Sequence, residues 1–196
     1  MTKTIGRPKT FEKKDILLIA MNHFWIHGYD NSSLDDLLKV MGIKKSSFYN
    51  TFKNKEELLS QTLDLYVEEG LKKAARLKKE KGTKAALLYI VKEQIKNLTT
   101  SDNKKGCLLI NVGKESFGKY DNLNHKITQE LHKATEFYTN LISDAKISKE
   151  IKNPLEAKVI ANRYLTMRNG LSLMIQAGIN KEAIDDIIFS IEELLE

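Results

Sequence analysis

Apolar residues return every three or four positions along most of this chain, and strand-like alternation is absent. Ile16, Ile19, Ala20 and Phe24, with Trp25 widening the stripe, mark one face of a helix over about Phe11 to His27, with Thr10 as N-cap and Gly28 as stop. Ser32-Ser33-Leu34-Asp35-Asp36 follows, where either serine can cap and an aspartate lies three residues beyond each. That opening predicts a helix over about Leu34 to Met41, with Leu34, Leu37, Leu38 and Met41 facing inward. Gly42 supplies a turn, Ile43 plugs its underside, and a short helix covers about Lys45 to Phe52. A long helix begins near Asn54 or Lys55 and reaches about Lys79, and Thr83 caps the next, which runs to about Leu98. Thr99 to Lys105 reads as a polar loop, a short helix lies near Cys107 to Lys114, and another spans about Asn122 to Ser143. Asn153-Pro154-Leu155-Glu156 has the order of a helix opening: cap, proline at the first turn, glutamate at the capping-box position. The helix it predicts ends near Ala177 before Gly178, and Asn180 caps a last helix. The expected fold class is all-α, with about nine helices.

Composition and charge refine this picture. The chain has 196 residues, 41% hydrophobic, with two prolines and one cysteine. Its polar first ten residues do not resemble a signal peptide, so none is expected, and no apolar run reaches the roughly 20 residues a membrane-spanning helix needs. A lone cysteine excludes an intrachain disulfide framework and fits a reducing compartment, so a soluble cytoplasmic protein is expected. Residues 1–55 hold ten Lys/Arg against five Asp/Glu, a net of +5 within a total of +6. The excess charge is therefore concentrated in the first quarter, as in a module that faces a polyanion. The lysine-rich stretch from Lys72 to Lys84 is better explained as a solvated helix end whose cations suit the dipole.

The segment IKKSSFYNTFKNKEEL, residues 43–58, concentrates this basic character. At 100° per residue, Phe48 and Phe52 fall on one side of a helix. Ser46, Tyr49, Asn50 and Lys53 fall on the other, with Ser47 on the flank. The phenylalanines anchor the helix, and the outward face offers hydroxyls, a phenol, an amide and lysines with no acid. Such groups suit phosphate oxygens and base edges, although an amphipathic helix with a solvated basic face has the same pattern.

Gly28-Tyr29, Ser32-Ser33-Leu34-Asp35-Asp36-Leu37, Gly42-Ile43-Lys44-Lys45-Ser46-Ser47-Phe48-Tyr49 and Phe52-Lys53-Asn54-Lys55-Glu56-Glu57-Leu58 together resemble the TetR family of bacterial transcriptional regulators. The resemblance covers about residues 10–60 without gaps. It implies a DNA-binding helix-turn-helix domain with a basic arm over residues 1–54, joined to a ligand-binding and dimerisation domain over residues 55–196. Residues Lys45 to Phe52 become the recognition helix, and Lys44, Lys45, Ser46, Ser47, Tyr49, Asn50, Thr51, Lys53 and Lys55 the DNA-binding set. Tyr49 and Lys55 match phosphate-contacting positions. Asn50 and Thr51 stand where histidine or a second aromatic is frequent, and Phe48 replaces a common leucine.

The resemblance also implies the partners: double-stranded DNA carrying a palindromic operator, a second copy of the chain, and a small-molecule inducer that releases a repressor. Ile160, Tyr164, Met167, Leu171 and Met174, then Ile184, Ile187, Ile191 and Leu194, have heptad-like spacing. They are assigned to a homodimer interface, although such stripes can equally face their own subunit. For a mostly apolar ligand the assigned lining is Leu88, Val91, Ile95, Leu109, Val112, Phe117, Phe137, Tyr138 and Met167. Cys107 follows Lys104, Lys105 and Gly106, where cations and a helix N-terminus favour thiolate, so it is a candidate redox sensor as well as a plain buried residue. The alternative to a small ligand is control by Cys107 modification or by a protein partner. His23 and His27 have metal-pair spacing without a third ligand. No metal and no cofactor is expected. With no phosphate loop, nucleophile elbow or carboxylate pair, neither is an enzyme.

Overall fold

The computed structural model describes residues 12–100 and 105–196. Among these, nine α-helices follow one another: α1 Lys13–His27, α2 Leu34–Met41, α3 Lys45–Phe52, α4 Lys55–Lys81, α5 Thr83–Thr100, α6 Leu108–Ser116, α7 Asp121–Ile147, α8 Ala157–Gln176 and α9 Lys181–Leu194. Three helix starts have the side-chain cap that satisfies an orphan amide. Ser33 Oγ accepts from Asp36 N at 3.1 Å, Asn54 Oδ1 from Glu57 N at 2.7 Å and Asn180 Oδ1 from Ala183 N at 3.0 Å. Each such cap contributes about 1 kcal/mol.

Other starts differ from the sequence reading. Glu12 occupies the N-cap of α1, and Thr10, Phe11 and the basic arm lie outside the described residues. Thr83 is the buried first residue of α5, which continues to Thr100 and shortens the expected loop. The Asn153 opening does not start α8. Asn153 Oδ1 accepts from Leu155 N at 3.0 Å, its Nδ2 donates to Leu194 O at 3.2 Å, and Lys146 Nζ donates to the carbonyls of Asn153 and Leu155. These bonds to α7 and α9 hold residues 151–156 outside the helix, which begins at Ala157 with Glu156 as N-cap.

Two hydrophobic clusters organise the helices. The first gathers Ala20 and Phe24 of α1, Leu37 and Met41 of α2, Phe48 and Phe52 of α3, and Leu58, Leu59 and Leu63 of α4. It does not stop at residue 54, because Leu108 and Val112 of α6 and Leu123 and Ile127 of α7 also belong to it. The second cluster contains Leu87 and Val91 of α5, Tyr138 and Ile142 of α7, and most of the inner faces of α8 and α9. The 27-residue helices α4 and α7 contribute to both clusters and so connect them.

The stripes assigned to a dimer seam face inward. Ile160, Tyr164, Leu171, Ile184, Ile191 and Leu194 are buried within the single chain, Met167 and Ile187 are half-buried, and only Met174 is exposed. A strict seven-residue seam would use positions 167 and 174, whereas the straight helix buries Ile175 and directs Arg168 toward the inner tyrosines. A 3.6-residue turn drifts away from a 3.5-residue repeat in this way.

Candidate nucleic-acid interface and adjoining cavity

Helix α3 is anchored by Phe48 and Phe52, both 0% exposed, whose rings lie 5.7 Å apart. Burial of each contributes roughly 1.5–3 kcal/mol, enough to fix which side of an eight-residue helix faces out. Lys44, Lys45, Ser46, Ser47, Tyr49, Asn50, Thr51 and Lys53 are all exposed, and Tyr49 retains 48% of its surface. Thr51 Oγ1 donates back to Ser47 O at 2.9 Å. The N-cap residue Lys44 offers no side-chain acceptor, which leaves the first amides of α3 pointing outward. Among the described residues no carboxylate pairs with Lys44, Lys45 or Lys53. The surface is therefore cationic, free of acids and rich in small donors, a combination that suits a phosphate backbone and base edges.

Lys55 is placed differently. Its Nζ donates to Tyr29 O at 2.9 Å and Ser32 O at 3.0 Å and lies 4.1 Å from the centre of the Tyr29 ring. Burial lowers its pKa, opposed by the charges of Asp30 and Glu115. This ammonium ties the α1–α2 turn to α4 instead of extending from the surface. The same turn is held from the other side. Glu115 accepts from Tyr29 N at 2.7 Å and Asp30 N at 3.2 Å, and Lys119 and Tyr120 bond to Asp30 at 2.9 and 2.8 Å. The Lys119 bond, followed by the Tyr120 bond, holds the Asp30 carboxyl below its ordinary range. Burial first, then Glu56, pushes the Tyr29 phenol up to about 12. Gly28, at φ +78°, permits this junction, because a Cβ there would collide with the Glu115 carboxylate.

A cavity of about 680 Å³ lies behind the junction, bounded by α1, α4, α5, residues 105–110, α7 and α8. Of the nine residues assigned to a ligand site, Leu109 and Tyr138 line it. Val91 and Ile95 border a neighbouring crevice without space for water. Leu88, Phe137 and Met167 pack against the second core and Val112 is in the first. Phe117 is 85% exposed at the end of α6, where the chain turns before α7. Cys107 is the N-cap of α6, buried on the cavity wall beside Tyr66.

Sequence reasoning missed Trp25, Tyr66 and Arg168. Trp25, on α1, donates from Nε1 to Gly106 O at 2.8 Å and so connects the α3-bearing module to the cavity wall. Arg168 had a readable signal, a lone cation four residues after Tyr164 and three before Leu171. A half-buried charge packed against tyrosine rings carries a desolvation cost unless something compensates it. Among the described residues no group of three His, Cys, Asp or Glu could hold a metal, and no helix is long and apolar enough to cross a membrane.

The geometry of α1–α3 agrees with the comparisons. The model of the bacterial regulatory proteins of the tetR family matches residues 16–62, from α1 into α4. This N-terminal region is of the TetR type. Over 111 residues it is 37% identical to the HTH-type transcriptional repressor ComR of Escherichia coli K12, covering 56% of this chain and 53% of ComR. It thus matches about half the length of that curated relative. A second relative, the HTH-type transcriptional repressor BdcR of the same organism, is 25% identical over 174 residues, 88% of this chain and 83% of BdcR. The likeness in fold to solved TetR-family structures extends well beyond that region. A CifR cysteine mutant solved with 26 bp double-strand operator DNA superposes with a TM-score of 0.79 at 20% identity, covering 97% of this chain and 100% of that one.

Proposed function

We propose that this protein is a sequence-specific DNA-binding transcriptional regulator, a homodimeric repressor released from a palindromic operator by a small, mostly apolar inducer. The observation that carries the reading is the outward face of α3, cationic and free of acids, set on two fully buried phenylalanines. An exposed helix of this kind fits a major groove, and a two-fold dimer places two of them about one duplex turn apart. Exposed large apolar residues on α8 and α9 support pairing through these helices: Leu173 and Met174 at 43% and Phe189 at 59%. These replace the inward stripes as the proposed dimer surface.

The cavity supplies a route for release. Trp25 reaches it from α1, and its wall at residues 105–110 leads into α6. The far end of α6 holds the α1–α2 turn through Glu115. A ligand that fits better when residues 105–110 are displaced would favour the arrangement in which α3 no longer matches its groove. Selection of bound sequences from random duplexes tests the reading. An inverted repeat is expected, with affinity falling steeply as salt rises. Recovery of no preferred sequence, or of an unsymmetric one, would overturn it.

The position of Cys107 on the cavity wall favours a second reading, in which modification of its thiol controls DNA release. Thiol alkylation followed by a gel shift separates the two, since Cys107→Ser should abolish the response only if the thiol is the trigger.

A further inference from the structure

The cavity wall holds a full charge that no acid among the described residues answers. Arg168 Nη1 donates to Tyr138 Oη at 3.1 Å, while its Nε is sealed from solvent without a partner. The guanidinium carbon lies 5.6 and 5.9 Å from the ring centres of Tyr138 and Tyr164. Phenols and ring faces compensate such a charge only in part, and a guanidinium cannot discharge itself by losing a proton. Among the described residues, no Asp or Glu lies against Arg168. Among the described residues the lone carboxylate lining the cavity, Glu93, is already paired with Lys73. Lys105 adds a further cation at the wall, bonded to Asn22 Oδ1 at 2.5 Å and lying over Trp25. Asn169, next to Arg168, has its amide oxygen buried and unpaired. The remaining walls are largely apolar, including Trp25, Leu71, Leu109 and Leu131.

We propose that the cavity takes an amphipathic monoanion, whose carboxylate or sulfonate pairs with Arg168 while an apolar body lies against Trp25, Tyr66 and Leu109. This rests on the reading of the cavity as the inducer site. One acidic group satisfies one half-buried cation through the planar donor fork of arginine. A polyanion would leave charge against apolar wall, and a neutral ligand would leave Arg168 uncompensated.

The test uses the full chain and two fluorescent dyes of one skeleton, anilinonaphthalene sulfonate and its neutral counterpart phenylnaphthylamine. Trp25 is the sole tryptophan and lines the cavity, so dye emission sensitised through it reports binding there. The sulfonate should bind at least about tenfold more tightly than the neutral dye. Arg168→Gln should remove most of that preference while leaving phenylnaphthylamine within about twofold, and Arg168→Lys should restore part of it. A third arm needs no variant: decanoate should displace phenylnaphthylamine from the wild type at least about tenfold more readily than decanamide does. Equal displacement, or equal loss of both dyes in Arg168→Gln, overturns the proposal and leaves a cavity for neutral ligands, with the inducer reading intact. If Trp25 sensitises neither dye, the cavity admits no ligand of this size, and the inducer reading fails as well.

Discussion

In α3, two phenylalanines four residues apart are fully buried and the other side of the helix is exposed. In α8, a stripe spaced for a partner helix is buried within its own chain, and a cation faces the inner tyrosines it packs against. Both helices are amphipathic, yet spacing predicted the outcome only for α3. The buried side of α3 meets neighbours that are close in sequence, so one arrangement is available to it. The apolar side of α8 has α5, α7 and α9 of its own chain as well as any second copy to choose from. Periodicity identifies the side that leaves water, and topology determines what covers it.

Variants can break this contrast. The largest effect is expected from Phe48→Ala, which should cost about 3–5 kcal/mol in denaturant unfolding and abolish DNA binding with it. A loss below about 1 kcal/mol would show that α3 does not depend on its aromatic side. Ile160→Ala should cost about 2–5 kcal/mol, and the loss should be the same at low and high protein concentration. A cost that vanishes at high concentration would return Ile160 to a dimer seam.

Gly28→Ala sharpens the coupling between the two halves. The positive φ and the approach of Glu115 predict a loss of about 1–3 kcal/mol and a weakened grip on the α1–α2 turn. Hydrogen exchange at Tyr29 and Asp30 would measure it, and unchanged protection would exclude Glu115 as the link. Tyr49→Ala should leave stability within about 0.5 kcal/mol, because the side chain is half exposed, while DNA affinity falls about tenfold. Wild-type affinity in that variant would remove Tyr49 from the interface.

The smallest effect concerns pH. Burial first, then the charge of His27, lowers the pKa of His23 below its ordinary 6.5, with Asp36 opposing. The unfolded chain therefore binds a proton more readily than the folded one, and stability should decline as pH falls through 6.5 toward the folded value. Melting temperature between pH 7.5 and 5.5 should drop slightly less in His23→Gln than in the wild type, and parallel curves would remove His23 from the effect.

Much of the fold was legible because its signals are local. Ser33, Asn54 and Asn180 announce helix starts through bonds to amides three residues away, and Phe48 with Phe52 orients α3 without reference to the rest of the chain. The Asn153 opening failed because bonds from Lys146 and to Leu194 compete for the same groups, and neither can be read from residues 153–156. The cavity was less legible than α3. Leu109 and Tyr138 do line it, but Phe117 lies at the exposed end of α6, and Trp25 is brought in from α1 by its bond to Gly106.

The sequence by itself determined the order of the nine helices among the described residues and the composition of the α3 surface, since both depend on contacts within a few turns of chain. Only the tertiary structure decided which side chains enclose the cavity, that Lys55 turns inward to the α1–α2 turn, and that no carboxylate among the described residues pairs with Arg168. The physical reason is that enclosure and charge compensation join residues far apart along the chain, 30 positions for Arg168 and Tyr138 and 81 for Trp25 and Gly106, whose meeting no local spacing encodes.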